Sequence, residues 1–343
     1  MTITLTKVNG TDNQDVVPSS TGNVNIMDFV PVHRVLVEEY TGTWCGWCTR
    51  GLVAMRLLAE TYGDDFIGVA YHNSDPMEIM TQYPSPVQGF PSAFVERYHD
   101  VDPYYGYDQS GFGMKDLVDY LMTQFAPLDI NVSAKWDDEA RTKIKTNVES
   151  NFVMNAPGSD YGIEVMLVED DMYGPAGSNW DQHNYYADMA DIYANEPNLG
   201  PLCYMSDVIE DYHFNDVLVA TSGVVDESLP ASIVANTPNN FGYTFYVDEI
   251  YNTSYEPLIQ NKDKLHVVAI VVEKATGKVL NAAKAGINEF DAVIELNDND
   301  KVVDSTIYYD LTGRLVSNPT SGIYVKVVRY SDGSQRSFKV LKK

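Results

Sequence analysis

The first third of the chain combines strand-like and helix-like patterns of apolar residues. Residues 33–40 and 66–71 are short apolar runs bounded by polar or turn residues, which predicts two buried strands. Between them, residues 47–62 carry apolar side chains at helical spacing, and Gly63 supplies a natural helix end. This order of strand, helix and strand predicts a parallel strand pair joined by a crossover helix.

Further elements complete this first region. Residues 76–89 are rich in proline and predict an irregular insertion with one short helix. Residues 92–97 have the composition of another strand, and residues 114–124 place their apolar side chains on one side of a closing helix. We therefore expect an α/β domain over residues 30–127, preceded by a strand and a linker in residues 1–29.

From residue 128 the pattern changes to an alternation of apolar and polar positions, the period of a half-buried strand. It recurs between clusters of Asp, Asn, Gly and Pro, within residues 129–136, 143–155, 161–169, 241–248 and 265–273. Many alternating strands without helical periodicity predict a β-sandwich, here over residues 128–290. Residues 173–200 predict a long insertion between strands, and loops of such length are usually functional.

Residues 291–343 predict a small C-terminal antiparallel β-domain. Residues 307–316 have the pattern of a strand, a Thr-Gly turn and a strand, and residues 321–330 and 335–341 predict two further strands. A Ser-Asp-Gly-Ser sequence at residues 331–334 predicts the hairpin turn between those two. The expected fold class is therefore an α/β domain, an all-β sandwich and a small antiparallel β-domain.

The composition narrows the function classes. Hydrophobic residues make up 44% of the chain, enough for packed cores. A net charge of −26 and a pI near 4.4 argue against nucleic-acid binding, which needs clustered Lys and Arg. No apolar run approaches the roughly 18 residues of a membrane helix, so no transmembrane segment is expected.

The acidic residues are concentrated in the middle of the chain. From Thr146 through Asn261, 116 residues contain no Lys or Arg and 19 Asp or Glu. One interpretation is a solvated surface that keeps the protein soluble. The alternative is calcium binding by carboxylates of residues 169–171 or 298–300, although neither stretch has EF-hand spacing.

The candidate chemistry centres on Cys45 and Cys48, which lie between a predicted strand and a predicted helix. Two cysteines at this spacing in the first turn of a helix can close a small disulfide. Free backbone N–H groups and the helix dipole favour a thiolate at Cys45, which makes it the attacking nucleophile, and Cys48 resolves the mixed disulfide. Half of a zinc site is the alternative, but the sequence offers no second pair of cysteines or histidines with ligand spacing.

Two other residues have less specific surroundings. Cys203 has apolar neighbours and is expected to be a buried inert thiol, the alternative being a third redox thiol. His72 follows the second predicted strand, where a surface loop is expected. The alternative is a histidine that tunes the thiolate, since sites gather at the carboxyl ends of strands in open α/β folds.

Residues 30–126 resemble the thioredoxin superfamily. The resemblance rests on the strand that ends at Tyr40, the Trp-Cys-Gly-Trp-Cys sequence, the following helix and strand, and Gly89-Phe90-Pro91. It implies that Pro91 is a cis-proline facing the disulfide. It also implies a substrate groove with the following members: Trp44, Gly46, Trp47, Phe90 and Pro91.

The same resemblance implies a buried acid beneath the cysteines that moves the proton of the resolving cysteine. Counting back from the motif, Glu39 matches this position and Glu38 is its neighbour. Successive side chains of a strand point to opposite faces, so only one of the two can serve, and the role is given to Glu39. The alternative is a solvated pair at the end of a strand.

Two further resemblances concern location. Residues 38–48, followed by Arg50-Gly51, are similar to thioredoxin-like outer-membrane proteins related to the twenty-eight-kilodalton Omp of Gram-negative anaerobes. Residues 309–315, 322–324 and the Lys-containing last strand resemble a type IX secretion sorting domain. Together they imply an extracytoplasmic protein at the outer membrane, on the cell surface or secreted, although the first residues lack the pattern of a signal peptide.

Two functions follow as hypotheses. The first is an exported thiol–disulfide oxidoreductase that needs no cofactor beyond the redox-active Cys45–Cys48 disulfide and acts on protein or peptide thiols and disulfides. The second is a cell-surface interaction protein that uses the thioredoxin-like domain as a scaffold. Its aromatic insertion, residues 173–200, then binds a surface glycan or a protein partner, unless those rings simply pack the sandwich.

Overall fold

A computed structural model describes most of the chain, namely residues 2–4, 6–13, 19–21, 27, 29–289, 303–310, 314–316, 319–330 and 335–342. The chain divides into two units, Met1–Phe290 and Asp291–Lys343. Among the described residues, no helix is both long enough and apolar enough to cross a membrane.

A mixed sheet of eleven strands dominates the first unit, so the protein is mostly β-sheet. In chain order the strands are β1 (Val35–Thr41), β2 (Phe66–His72), β3 (Ser92–Val95), β4 (His99–Val101), β5 (Leu128–Trp136), β6 (Lys143–Phe152), β7 (Tyr161–Glu169), β8 (Val217–Thr221), β9 (Asn239–Tyr246), β10 (Leu265–Glu273) and β11 (Val279–Asn288). Their order across the sheet is β9-β6-β5-β11-β10-β7-β8-β2-β1-β3-β4. The pairs β1–β2, β2–β8 and β5–β11 are parallel, and the other pairs are antiparallel.

Helices and short strand pairs surround this sheet. The α-helices are α1 (Thr49–Tyr62), α2 (Gly113–Met122) and α3 (Ala190–Tyr193). The 3-10 turns are Gly63–Asp65, Gly158–Asp160, Gly200–Tyr204, Val247–Glu249 and Lys262–Lys264. The short antiparallel pairs are Thr2–Thr4 with Ser19–Thr21, Lys7–Val8 with Thr11–Asp12, Ala156–Pro157 with Ser232–Ile233, and Gln182–His183 with Val208–Ile209.

The predicted strand, helix and strand unit is confirmed as β1, α1 and β2, with the two strands parallel. Helix α1 buries Leu52, Met55 and Leu58, as the helical spacing predicted. It ends at Gly63, which adopts φ 56° and donates its backbone N–H to Ala59 O. Only glycine enters this left-handed region without strain, so the sequence places the helix end correctly.

The short helix predicted within residues 76–89 is wrong, because this segment contains only turns, bends and an isolated bridge at Ile79. Pro76, Pro84 and Pro86 explain the difference. Each proline removes a backbone donor and disfavours the helical conformation of the residue before it.

The sheet continues across the predicted boundary at residue 127. Strand β8 pairs with β2 at Val217 and Ala70, and β11 pairs with β5. Side chains from both parts of the sheet share one hydrophobic core, which includes Leu36 of β1, Ile67 of β2 and Val268 of β10. The sandwich-like packing thus comes from one continuous sheet, and the division into domains at residue 127 stays a prediction.

Strand β11 of this sheet has little strand-like signal in the sequence. It contains Ala, Gly and Asn residues, which have low β-propensity, and it is held by pairing on both sides. Strand β8 is short, but its Val-Leu-Val-Ala-Thr sequence has strand composition. Pairing with neighbouring strands therefore determines β11.

The second unit contains three antiparallel strands: β12 (Val303–Tyr309), β13 (Gly322–Tyr330) and β14 (Gln335–Lys342). An isolated bridge joins Tyr309 and Leu315, on either side of the predicted Thr-Gly turn. That turn and the predicted hairpin turn at residues 331–334 lie outside the described residues. The strands expected before the Thr-Gly turn and within residues 321–330 and 335–341 are confirmed, whereas the strand expected after that turn is only the isolated bridge at Leu315 in the described residues.

Candidate functional site

The two motif cysteines form a disulfide where the chain enters α1. Cys45 donates its backbone N–H to Gly42 O at 3.0 Å, and Cys48, the residue before the helix, donates to Cys45 O at 3.0 Å. Cys48 is fully buried and Cys45 is 5% exposed. The pair lies at the amino end of a helix, where unpaired N–H groups and the helix dipole stabilise a thiolate.

Trp44 and Phe90 lie together beside the disulfide. Trp44 is 42% exposed and donates its indole N–H to Asn73 O at 2.7 Å. Its ring meets the ring of Phe90 edge to face, with centroids 5.5 Å apart. The peptide bond between Phe90 and Pro91 is cis. Two of the residues predicted to line the groove are therefore in contact, and their role in binding stays a prediction.

Residues 179–186 of the predicted insertion, here called the cover segment, run along the loop that carries the cysteines. Gln182 is the segment's fully buried member, and its side chain reaches the backbone of the disulfide itself. Four hydrogen bonds join the two segments: Thr43 Oγ1 to Asn179 O (2.8 Å), His183 N–H to Thr43 O (2.8 Å), Gln182 Nε2 to Cys45 O (3.1 Å) and Tyr185 N–H to Gly46 O (3.0 Å).

Aromatic rings complete this contact. Trp47 meets Tyr185 and Tyr186 edge to face at 5.7 and 5.2 Å. Gly46 lies directly under Tyr185, because a Cβ at Gly46 would be 2.2 Å from that ring. The cover segment and its aromatic rings thus account for the small exposed area of Cys45.

Some aromatic rings of the insertion are buried and others are exposed. Tyr186 is 1% exposed and packs in the core, whereas Tyr173 and Tyr185 are about half exposed. The insertion is therefore a packed element that also presents aromatic surface.

Glu39 is fully buried on the α1 side of the sheet, and neither of its carboxylate oxygens has a hydrogen-bond partner. Its carboxylate packs against Gly51 of α1, where a Cβ would be 1.9 Å from Oε1. Glu38 is equally buried but pairs with Arg97. The interpretation of Glu38 and Glu39 as a solvated strand-end pair is therefore wrong, since β1 is paired on both edges and both side chains are buried.

Burial is the main cause that raises the pKa of Glu39 well above its usual value, and the nearby Asp216 and Asp102 carboxylates add to it. A carboxyl group whose pKa is raised on folding binds its proton more tightly in the folded state. Between the unfolded and folded pKa values, the free energy of unfolding therefore falls as the pH rises. Glu39 contributes an ionisation penalty at neutral pH that is absent at acidic pH.

We expect Glu39→Gln to remove this pH dependence. The free energy of unfolding of the variant, relative to the native protein, should increase by up to about 1.4 kcal/mol per pH unit above the usual Glu pKa. Urea unfolding at a series of pH values from 5 to 8 measures it. A difference that stays constant over this range would contradict the buried ionisation.

His72 and Cys203, the two other candidate residues, are both buried. The expectation that His72 lies on a surface loop is wrong: it is buried, and its Nδ1 lies 2.6 Å from Asp75 Oδ2. Asp75 also accepts the backbone N–H of Thr43 at 3.0 Å, so this pair supports the loop that carries the cysteines. Cys203 is buried and free, and burial raises the pKa of its thiol.

The carboxylates proposed for calcium in residues 169–171 turn to separate partners. Glu169 accepts the backbone N–H groups of Gln260 and Asn261. Asp171 pairs with His213 and Lys264, and Asp170 turns toward Asp216 and His266. The alternative stretch, residues 298–300, lies outside the described residues.

The cover segment is the main feature of the site that the sequence did not predict. Gln182 and Cys45 are 137 positions apart, and the segment has no periodic pattern. Its only signal is the density of Tyr, Asn and Trp in a long insertion.

These features define a predominantly β-sheet protein with a covered Cys-x-x-Cys disulfide at the start of a helix. Its fold is similar to that of HBP35 of Porphyromonas gingivalis, with a TM-score of 0.50 at 15% identity over 91% of this chain and 99% of that chain.

Two more distant similarities have lower scores. A protein of Agrobacterium tumefaciens gives a TM-score of 0.40 at 13% identity, over 75% of this chain and 96% of that chain. A domain of the outer membrane lipoprotein Omp28 of P. gingivalis gives 0.25 at 15% identity, over 49% and 93%. No family model and no curated protein matches the sequence.

Proposed function

We propose that the protein is a thiol–disulfide oxidoreductase whose first region is thioredoxin-like and whose site is the Cys45–Cys48 disulfide. The observation that carries the proposal is the position of this disulfide at the amino end of α1, with the buried, unpartnered Glu39 carboxylate packed against the same helix. Such surroundings stabilise a thiolate and offer a proton acceptor. Turnover of a model disulfide by the purified protein tests the proposal.

In the proposed reaction a substrate thiolate attacks Cys45 Sγ of the oxidised protein. The Cys45–Cys48 bond breaks, a mixed disulfide forms, and Cys48 leaves as a thiolate that takes up a proton delivered through Glu39. The second substrate thiolate then attacks the substrate sulfur of the mixed disulfide and releases Cys45. The substrate dithiol becomes a disulfide and the protein becomes a dithiol, and the reverse sequence reduces a substrate.

The cover segment has to move away from Cys45 for either direction, because Cys45 is only 5% exposed. We expect Tyr185→Ala to speed reduction of the disulfide by a small thiol reductant. Loss of about 1 kcal/mol of ring packing raises the open population, and so the rate, about fivefold. Alkylation of the freed thiols followed by mass spectrometry measures the rate.

Tyr173→Ala is the matched control for this experiment. Tyr173 belongs to the same insertion and is similarly exposed, but its ring stacks on His213. We expect the native rate for this variant. If Tyr185→Ala is reduced no faster than the native protein, the cover segment does not limit access to the disulfide.

We further propose that the protein works outside the cytoplasm, at the outer membrane, on the cell surface or in secreted form. The support is the resemblance of residues 309–315 and 322–324 to a type IX sorting domain.

The second candidate function is binding, with the disulfide as a structural bridge. It is favoured by the low exposure of Cys45 and by the exposed rings of Tyr173 and Tyr185. A glycan or protein partner would then contact this aromatic surface. Deletion of residues 173–200 is unsuitable as a test, because it also removes the buried Tyr186. The appropriate experiment is to replace the exposed aromatic residues one at a time and to measure binding.

A further inference from the structure

A second group of chemically active side chains lies in a cavity away from the cover segment. Asp170 follows β7, Asp216 precedes β8 and His266 lies near the start of β10, so three neighbouring strands bring them together. Their candidate ligand atoms all lie within 4.8 Å of one another. The cavity they line has a volume of about 590 Å³ and extends to Leu52 and Met55 of α1.

We propose that Asp170, Asp216 and His266 bind a divalent transition-metal ion. The three ligands take no part in the proposed disulfide exchange, although Glu39 belongs to both the cavity wall and that reaction. The site also differs from the calcium loops considered from the sequence. Two carboxylate oxygens and one imidazole nitrogen form a donor set that suits zinc and similar ions better than calcium, which prefers oxygen ligands alone. Three protein ligands leave a coordination position for water on the cavity side.

The distances agree with this assignment. Ligand atoms about 2.1 Å from a tetrahedral ion lie about 3.4 Å apart. His266 Nδ1 and Asp170 Oδ2 are already 3.4 Å apart. The backbone N–H of Asp216 donates to Asp170 Oδ1 at 2.9 Å, which fixes the Asp170 carboxylate, so small rotations of Asp216 and His266 complete the site.

A second, separate observation points to a cation in this cavity. The wall includes the carboxylate of Glu39, which is 0% exposed and has no hydrogen-bond partner on either oxygen. Burial of a carboxylate without a partner is costly unless a cation or a proton compensates it.

The charge around the cavity favours the same ligand. Besides Asp170, Asp216 and Glu39, the lining contains Glu60 and Asp64. The basic groups of the lining are Arg56, Lys284 and the two histidines, His213 and His266. Arg56 pairs with Glu60 at 2.8 Å. Lys284 donates to Gly63 O at 3.1 Å, which leaves its charge in place, and that charge acts on Asp170 and Asp216. The carboxylates that face the cavity interior therefore outnumber the cations available to neutralise them.

Space is also provided for the Asp216 carboxylate. Gly68 in the middle of β2 faces it, and a Cβ at Gly68 would lie 2.9 Å from Asp216 Oδ2. A larger residue at this position would push the carboxylate out of the group.

Isothermal titration of the full-length oxidised protein with zinc chloride tests the proposal, and calcium chloride serves as the comparison ion. The oxidised form is used because the reduced cysteines of a Cys-x-x-Cys pair would themselves bind zinc. We expect one zinc ion to bind at this site. Asp216→Asn and His266→Gln should each weaken its binding at least tenfold, and calcium should bind more weakly than zinc.

His213→Gln is the matched control, because His213 lines the same cavity but pairs with Asp171 outside the group. It should leave the zinc affinity within about twofold of the native value. Thermal unfolding in the presence of a chelator shows whether each variant folds. If one of the two ligand variants does not fold, the other one tests the proposal. Lys284→Met, which removes a cation from the lining, should not weaken zinc binding. Absence of zinc binding by the native protein would overturn the proposal. So would binding that is unaffected by Asp216→Asn and His266→Gln, which would indicate general attraction to an acidic surface.

Discussion

Turnover of a model disulfide is expected to fall to the uncatalysed rate when Cys45 is replaced by serine. The serine hydroxyl is not ionised at neutral pH and cannot form a disulfide, so the first bond of the reaction cannot be made. A loss of about 100-fold or more is expected, as for other nucleophiles that form covalent intermediates. An assay of thiol release from a model protein disulfide, with excess reductant, measures it.

Cys203→Ala is the matched control, since Cys203 is the remaining cysteine, is buried and is not part of the disulfide bond. It should keep the native rate. Equal turnover by Cys45→Ser and the native protein, or none in the native protein, would contradict the proposed chemistry and favour a structural bridge.

Loss of about 3–5 kcal/mol in the free energy of unfolding is expected for Arg97→Ala. Arg97 is buried and lies between two buried carboxylates, 2.7 Å from Glu38 Oε1 and 2.7 Å from Glu164 Oε2. Burial alone would lower the pKa of Arg97, but these two carboxylates raise it above its usual value. Truncation leaves two buried carboxylates without a cation to balance them, so the cost should be large. Urea unfolding at neutral pH measures it.

Arg56→Ala is the matched control for this prediction. Arg56 pairs with Glu60 at 2.8 Å, but both side chains are more than half exposed, so a change within about 0.5 kcal/mol is expected. A triple variant with Arg97→Met, Glu38→Gln and Glu164→Gln should recover most of the stability, because it leaves no unpaired charge. If Arg97→Ala lowers the free energy of unfolding by less than about 1 kcal/mol, the buried ion pairs of Arg97 are not needed for stability.

The ion pairs of Arg97 with Glu38 and Glu164 also explain why the division into domains is hard to predict from the sequence. Glu38 belongs to β1 and Glu164 to β7, so one arginine bonds to strands of both predicted regions. Nothing in the local pattern around Arg97 signals a partner 67 positions away. Contacts of this kind depend on the tertiary fold, which periodicity does not report.

Sequence patterns predict those elements whose structure depends on neighbouring residues in the chain. The apolar spacing of α1, its end at Gly63 and the alternation of β6 all follow from the sequence, because each depends on neighbours within a few residues. The choice of Glu39 over Glu38 depended on a resemblance together with strand alternation, and the structure places the two on opposite faces as that alternation requires. The role of Glu39 in proton transfer remains a prediction.

Sequence patterns do not predict the contacts of the cover segment. They also do not predict that Asp170, Asp216 and His266 lie together. Each joins residues that are far apart in the sequence, and each lies in loops or at strand ends without a repeating pattern. The sequence places Asp170 between two other acidic residues and therefore suggests that the three act together. In the structure those neighbours point to different partners.

The most direct test of the account is to trap the mixed disulfide with Cys48→Ser. In this variant the resolving thiol is absent, so a substrate that Cys45 attacks stays bound through a disulfide. Incubation with a model protein disulfide followed by non-reducing mass spectrometry should show one adduct on Cys45, and none in the variant that carries Cys45→Ser as well. Absence of an adduct in Cys48→Ser, when the Tyr185→Ala substitution has been added to open the cover segment, would contradict a redox role for this site.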